Sequence, residues 1–245
     1  MKKIIYSLLL VLFAFGAQAQ DVAYYKVTTM RAAPGKLLDL IEILKEDMKN
    51  HKVYGMQQPF LMRHSQGDQW DLLLIYPIGN TLGDYMTDAG LAQRRKSRTQ
   101  DQAHGSEFFN FISFQEEQII KGPAINEFNR RFTTFNYYHV EIFQALAGKQ
   151  TELVEQRQME NVYLKELNRD ENFIFTKVLG GEADQFTIGF YDDIKHYAAA
   201  GDIPFDVEDA AAKKAGFKSV NTIGSYLRSL LLEHHDTLAG AVRAN

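Results

Sequence analysis

From Tyr24 to Thr29 the chain alternates, with Tyr25, Val27 and Thr29 on one side of a strand and Tyr24, Lys26 and Thr28 on the other, until Pro34-Gly35 ends the run. Leu37, Leu40, Ile41, Leu44 and Met48 then recur at helical spacing. Asp39, Glu42, Lys45 and Glu46 fall off that stripe, so the pattern predicts an amphipathic helix with a solvated face. PFLMRHS (59–65) and QWDLLLIY (69–76), separated by Gln66-Gly67-Asp68, predict a hairpin. A polar, partly helical stretch follows, and the closing segment QEEQIIKG (115–122) ends in glycine.

The same pattern recurs further along. A shift of 113 residues lays Tyr24-Tyr25-Lys26-Val27 on Tyr137-Tyr138-His139-Val140. It also matches Ala32, Gly35, Lys36, Leu40 and Glu42 with Ala145, Gly148, Lys149, Leu153 and Glu155. Across positions 24–42 chance would supply roughly one identity, so these matches mark an internal repeat. A shift of 116 pairs Asp68-Gln69-Trp70 with Asp184-Gln185-Phe186, and QEEQIIKG pairs with EHHDTLAG (233–240). ENFIFTKVL, Gly180-Gly181 and DQFTIGFY predict the second hairpin. The reading is two copies of β-α-β-β-α-β, over 21–123 and 134–242.

That order is the ferredoxin-like unit, an α+β arrangement whose antiparallel sheet has helices on one face. Two units in one chain can cover each other's free sheet faces, forming a pseudo-dimeric α/β barrel. On the repeat, the Tyr-Tyr-x-Val strand, the Gly-Lys helix start and the hairpins, residues 21–242 resemble the dimeric α/β-barrel superfamily in its tandem single-chain form, and NIPSNAP-like proteins within it. The resemblance implies the fold. The superfamily includes cofactor-free monooxygenases, isomerases, haem proteins and members without known activity, so it does not choose among functions.

Composition removes several alternatives. The 245 residues contain no cysteine, which excludes disulfides, thiolate metal sites and cysteine nucleophiles. A net charge of −4 gives no electrostatic reason to expect a nucleic-acid partner. MKKIIYSLLLVLFAFGAQAQ opens the chain with two lysines, a short apolar stretch and Ala17-Gln18-Ala19, which reads as a signal peptide over 1–19. The expected product starts at Gln20, is periplasmic or secreted, and has no stable membrane insertion. No nucleotide loop, nucleophile elbow or zinc-protease motif is present in the sequence.

Chemistry therefore rests on carboxylate, imidazole, hydroxyl, amine or phenol groups. On the strand from Tyr137, the apolar set Tyr138, Val140 and Ile142 is expected to meet the helices. His139 and Glu141 would then enter the space between the sheets, as catalytic residues or as a buried register-setting pair. The first copy has Lys26 and Thr28 there, which suggests one asymmetric site. In Glu233-His234-His235-Asp236-Thr237, a strand would turn His234 and Asp236 one way and His235 the other. Tyr137, Arg63, His235 and Arg228 are candidate ligand contacts, and with no third ligand legible, no metal is assigned. The expected function is binding of a small apolar or aromatic ligand between the sheets, with no tightly held cofactor. A cofactor-independent monooxygenase or isomerase with His139 as base is the alternative, followed by a haem protein and by a structural protein. The expected partner is that small molecule, with a second copy of the chain as the other candidate.

Overall fold

The computed structural model describes residues 22–53, 55–67, 69–101 and 105–244. The leader, Asp68 and His104 lie outside the described residues. Strand β1 (Ala23–Ala32) leads into helix α1 (Leu37–Val53), then β2 (Phe60–Gly67) and β3 (Leu72–Gly79) form the expected hairpin. Short α2 (Leu82–Tyr85) and polar α3 (Asp88–Asp101) precede β4 (Ile112–Gly122). After α4 (Ile125–Thr134) the order resumes with β5 (Tyr137–Ala145), α5 (Gln150–Glu166), β6 (Phe173–Gly180) and β7 (Gln185–Tyr191). Helices α6 (Ile194–Ala198), α7 (Phe205–Lys214) and α8 (Ile223–Arg228) then lead to β8 (Leu231–Val242). Gly35 and Gly148, at φ 75° and 79°, make the left-handed turns by which β1 and β5 pass into their helices.

All eight strands close into one antiparallel barrel in the order β1-β3-β2-β8-β5-β7-β6-β4. Corresponding contacts recur at a spacing of 113: Ala32 N donates to Asp71 Oδ2 at 2.8 Å, and Ala145 N to Asp184 Oδ2 at 2.9 Å. Asp71 thus takes the part in the first hairpin that Asp184 takes in the second, which corrects the pairing of Asp68 with Asp184. Likewise Thr28 faces Glu117 on β4, and Glu141 faces Asp236 on β8. The closing strands are one residue out of step with the alignment of their sequences.

One buried cluster draws on every strand and therefore fills the barrel interior. It includes Tyr25, Val27, Met62, Ile75, Ile120, Tyr138, Val140, Phe175, Ile188 and Ala239. Helix α4, a segment left outside both predicted units, plugs one end with Phe128 and Phe132. The Phe128 ring is fully buried and lies 4.3 Å from Phe60, 5.5 Å from Phe175 and 5.7 Å from Tyr25, centroid to centroid. Tyr138 anchors the plug by donating to the carbonyls of Phe132 and Phe135 at 3.0 and 2.9 Å, and burial pushes its hydroxyl pKa up.

The alternate residues face out, beneath the helices. Helix α1 covers Met30, Leu61, Leu72 and Leu74 with Leu40, Ile41, Leu44 and Met48. Helix α5 brings Leu153 over Phe143 and Ala145. No described helix is long and apolar enough to cross a membrane.

Candidate functional site

The face of β5 is the reverse of the sequence expectation. Tyr138 and Val140 belong to the barrel interior, whereas His139 and Glu141 face outward beneath α5, and the aromatic interior leaves no place for them between the sheets. The physical reason is that helices cover the outside of the barrel, so both faces of β5 are buried surfaces and hydrophobicity alone does not separate them.

On this outer face the structure brings together two strands that the sequence presented separately. His139 Nε2 lies 2.9 Å from Asp236 Oδ1. As expected for a strand, His234 and Asp236 share one face; they share it with His139 and Glu141. His234 Nε2 stands 3.6 Å from both Glu141 Oε1 and Asp236 Oδ2, and its ring stacks on Phe143 at 4.8 Å, nearly parallel.

Glu141 is the buried centre of this network. Thr187 Oγ1, from the adjacent position on β7, donates to Glu141 Oε2 at 2.7 Å. Arg157 of α5 donates through NH1 to both Glu141 oxygens at 3.1 and 3.3 Å, and pairs through NH2 with Glu160. Burial opposes the Glu141 charge, yet His234, Arg157, His139 and Thr187 together hold its carboxyl well below the usual range. Burial likewise opposes a charged His139, but its bond to Asp236 and the nearby Glu141 charge raise the ring's pKa overall.

Aromatic rings flank these side chains. The Tyr197 ring of α6 lies 5.3 Å from that of His139, and Tyr191 packs edge-on against Tyr197 at 5.2 Å. Gly189 pairs with His139 across the ladder, and a Cβ there would come within 3.1 Å of the Tyr191 ring. This glycine lets Tyr191 lie over the strand beside the histidine. His139 keeps 18% of its side-chain surface exposed and Asp236 56%, so the pair is reachable from solvent.

The other candidates disperse. Tyr137 is on the same outer face, with its hydroxyl 3.4 Å from Ser65 Oγ. Arg63 is exposed on β2, separated from Tyr137 by Gly240. His235 turns to the opposite face of β8 and pairs with Glu233 at 3.0 Å. Arg228 is exposed at the end of α8, with Nη1 3.5 Å from the Gly224 carbonyl. Arg157, Thr187 and Tyr197 were not among the sequence candidates. For Arg157 a signal existed, since it falls four residues after Leu153 on the inward stripe of α5, where a charge needs a partner.

Haem, which the superfamily resemblance raises, does not fit these residues. His139 Nε2 faces Asp236 Oδ1 at 2.9 Å, and the His234 ring lies flat on Phe143 with Nε2 3.6 Å from two carboxylates, spacings that small side-chain shifts could open to a single ion but not to a macrocycle. Neither imidazole is free to stand over a porphyrin face.

No protein-family model and no curated protein matches the chain. Among solved structures it is similar to an anthrone oxidase-like protein, with a TM-score of 0.59 and 13% identity over 92% of this chain and 93% of that one. A candidate monooxygenase from Fusobacterium nucleatum gives 0.53 and 11%, over 91% and 93%. A candidate chlorite dismutase gives 0.50 and 11%, over 91% and 96%. At these identities the likeness is one of fold, and the fold is that of the dimeric α/β-barrel proteins.

Proposed function

We propose that the outer pocket of the second half binds a small aromatic molecule bearing an oxygen function, its ring against Tyr197 and its oxygen at His139. The observation that carries this is a partly exposed imidazole, fixed by Asp236 and walled by tyrosines, in only one of two corresponding places. Such pockets combine apolar walls with a few placed polar groups. The name of the anthrone oxidase-like neighbour supplies a probe. Anthrone titrated into the purified chain should bind saturably, and Tyr197→Ala should weaken it by about 3–10-fold through lost ring contact. Oxygen uptake with anthrone separates a monooxygenase from a binding protein, and uptake abolished by His139→Gln assigns the reaction to this pocket. Non-saturable binding, or binding indifferent to Tyr197→Ala and His139→Gln together, removes the reading.

The organisation is also part of the proposal. The two halves, 21–123 and 134–242, are tandem ferredoxin-like copies in the manner of NIPSNAP-like proteins, the second specialised for the ligand. Export through the 1–19 leader would place that site in the periplasm or outside the cell. An intact Met1 on mature protein would oppose this.

A further inference from the structure

We propose that this pocket also takes one divalent transition-metal ion, held by Nε2 of His139 and His234 and by the carboxylates of Glu141 and Asp236. The inference deepens the reading above and rests on it for location only.

Geometry is the first argument. Ligand atoms of His139, Glu141 and Asp236 all lie within 4.8 Å of one another, and His234 Nε2 is 3.6 Å from a carboxylate oxygen of each acid. Around an ion with bonds near 2.1 Å, neighbouring ligand atoms stand about 3.0 to 3.4 Å apart, so small side-chain adjustments close the shell. His234 Nε2 is buried without a hydrogen-bond partner, although it points at two carboxylates.

Charge is the second. Arg157 pairs with Glu141 and Glu160, and Asp236 stands against His139 and His234, so three carboxylates outnumber the one guanidinium when both imidazoles are neutral. The corresponding place in the first half contains its own cation: Lys26 Nζ sits 2.9 Å from Glu117, with Thr28 where Glu141 stands. Where the first half has that ammonium, the second half has His139, together with Glu141, its partner Arg157, and His234. It keeps the demand for a cation while presenting ligands in place of one.

Support around the ligands is the third argument. Thr187 and Arg157 fix the Glu141 carboxylate, and Phe143 fixes the His234 ring, as outer contacts do in metal sites. Mixed imidazole and carboxylate donors suit Zn²⁺, Fe²⁺, Mn²⁺ or Co²⁺ better than Ca²⁺ or Mg²⁺, which prefer oxygen shells.

The test uses the untagged, EDTA-treated chain, with Zn²⁺ followed by calorimetry and Co²⁺ by its visible absorption. One equivalent should bind. His234→Ala and Asp236→Asn should each weaken binding by about 100-fold, and Thr187→Val by about tenfold. His51→Ala, on α1, should leave it unchanged. If His234→Ala fails to fold, the exposed Asp236→Asn carries the comparison. No stoichiometric uptake, or uptake undiminished by the ligand variants that fold, overturns the proposal. Metal uptake without anthrone binding removes only the aromatic ligand, whereas anthrone binding without uptake removes only the metal.

Discussion

The two halves of the barrel use the same backbone to different ends. In the first, α1 lays Leu40 and Leu44 over Leu72 and Leu74, and the charged pair of Lys26 with Glu117 stays at the edge, where Lys26 also reaches over the Tyr76 ring. In the second, residues 113 positions on replace Leu44 by Arg157, Leu72 by Gln185, Leu74 by Thr187 and Tyr76 by Gly189. The first half has an apolar seam between helix and sheet where the second has a polar one. Polar groups in such a place cost stability unless every one is paired, and here Gln185 has no hydrogen-bond partner for its amide although it is 1% exposed. The difference teaches that the first half seats its helix on an apolar seam, whereas the second seats its helix on paired polar groups.

The largest effect expected is on what the halves share. Phe128→Ala would empty the ring position in the α4 plug and lower unfolding stability by about 3–5 kcal/mol, measured by urea denaturation. If the loss is below about 1 kcal/mol, the halves are joined by their strand edges and not by the plug. Arg157→Ala should cost about 3–5 kcal/mol by leaving the buried Glu141 charge without its guanidinium. Adding Glu141→Gln to that variant should restore part of the loss, which separates unpaired charge from lost packing. The double change His139→Lys with Glu141→Thr, which gives the second half the residues of the first, should fold and should abolish Zn²⁺ uptake and anthrone binding. Retained Zn²⁺ binding would mean the halves differ for some other reason. Smallest is Lys26→Ala, expected to cost less than about 1 kcal/mol and less still at high salt, because that pair is partly solvated. A loss matching that of Arg157→Ala would dissolve the contrast between the halves.

Much of the fold was legible because the relevant signals are local. The alternation of β1 and β5, the glycine turns after them, the helical stripe of α1 and the hairpin breaks are set by residues within a few positions of each other. The face relation of His234, His235 and Asp236 on β8 was readable for the same reason, since strand geometry alone decides it. Helix α4 was not read, because Phe128 and Phe132 become meaningful only once a barrel end exists for them to fill.

The sequence by itself put His139 and Glu141 on one strand face and His234 and Asp236 on one face of another, and it offered Tyr137, Arg63, His235 and Arg228 as further candidates. Only the tertiary structure decided that the pairs meet, through the register that sets Glu141 against Asp236 across β5 and β8. It also decided that they meet outside the barrel. A strand in a closed barrel wrapped by helices is buried on both sides, so its inward face is chosen by which rings fit the interior, and Tyr138 finds its partners at the α4 plug.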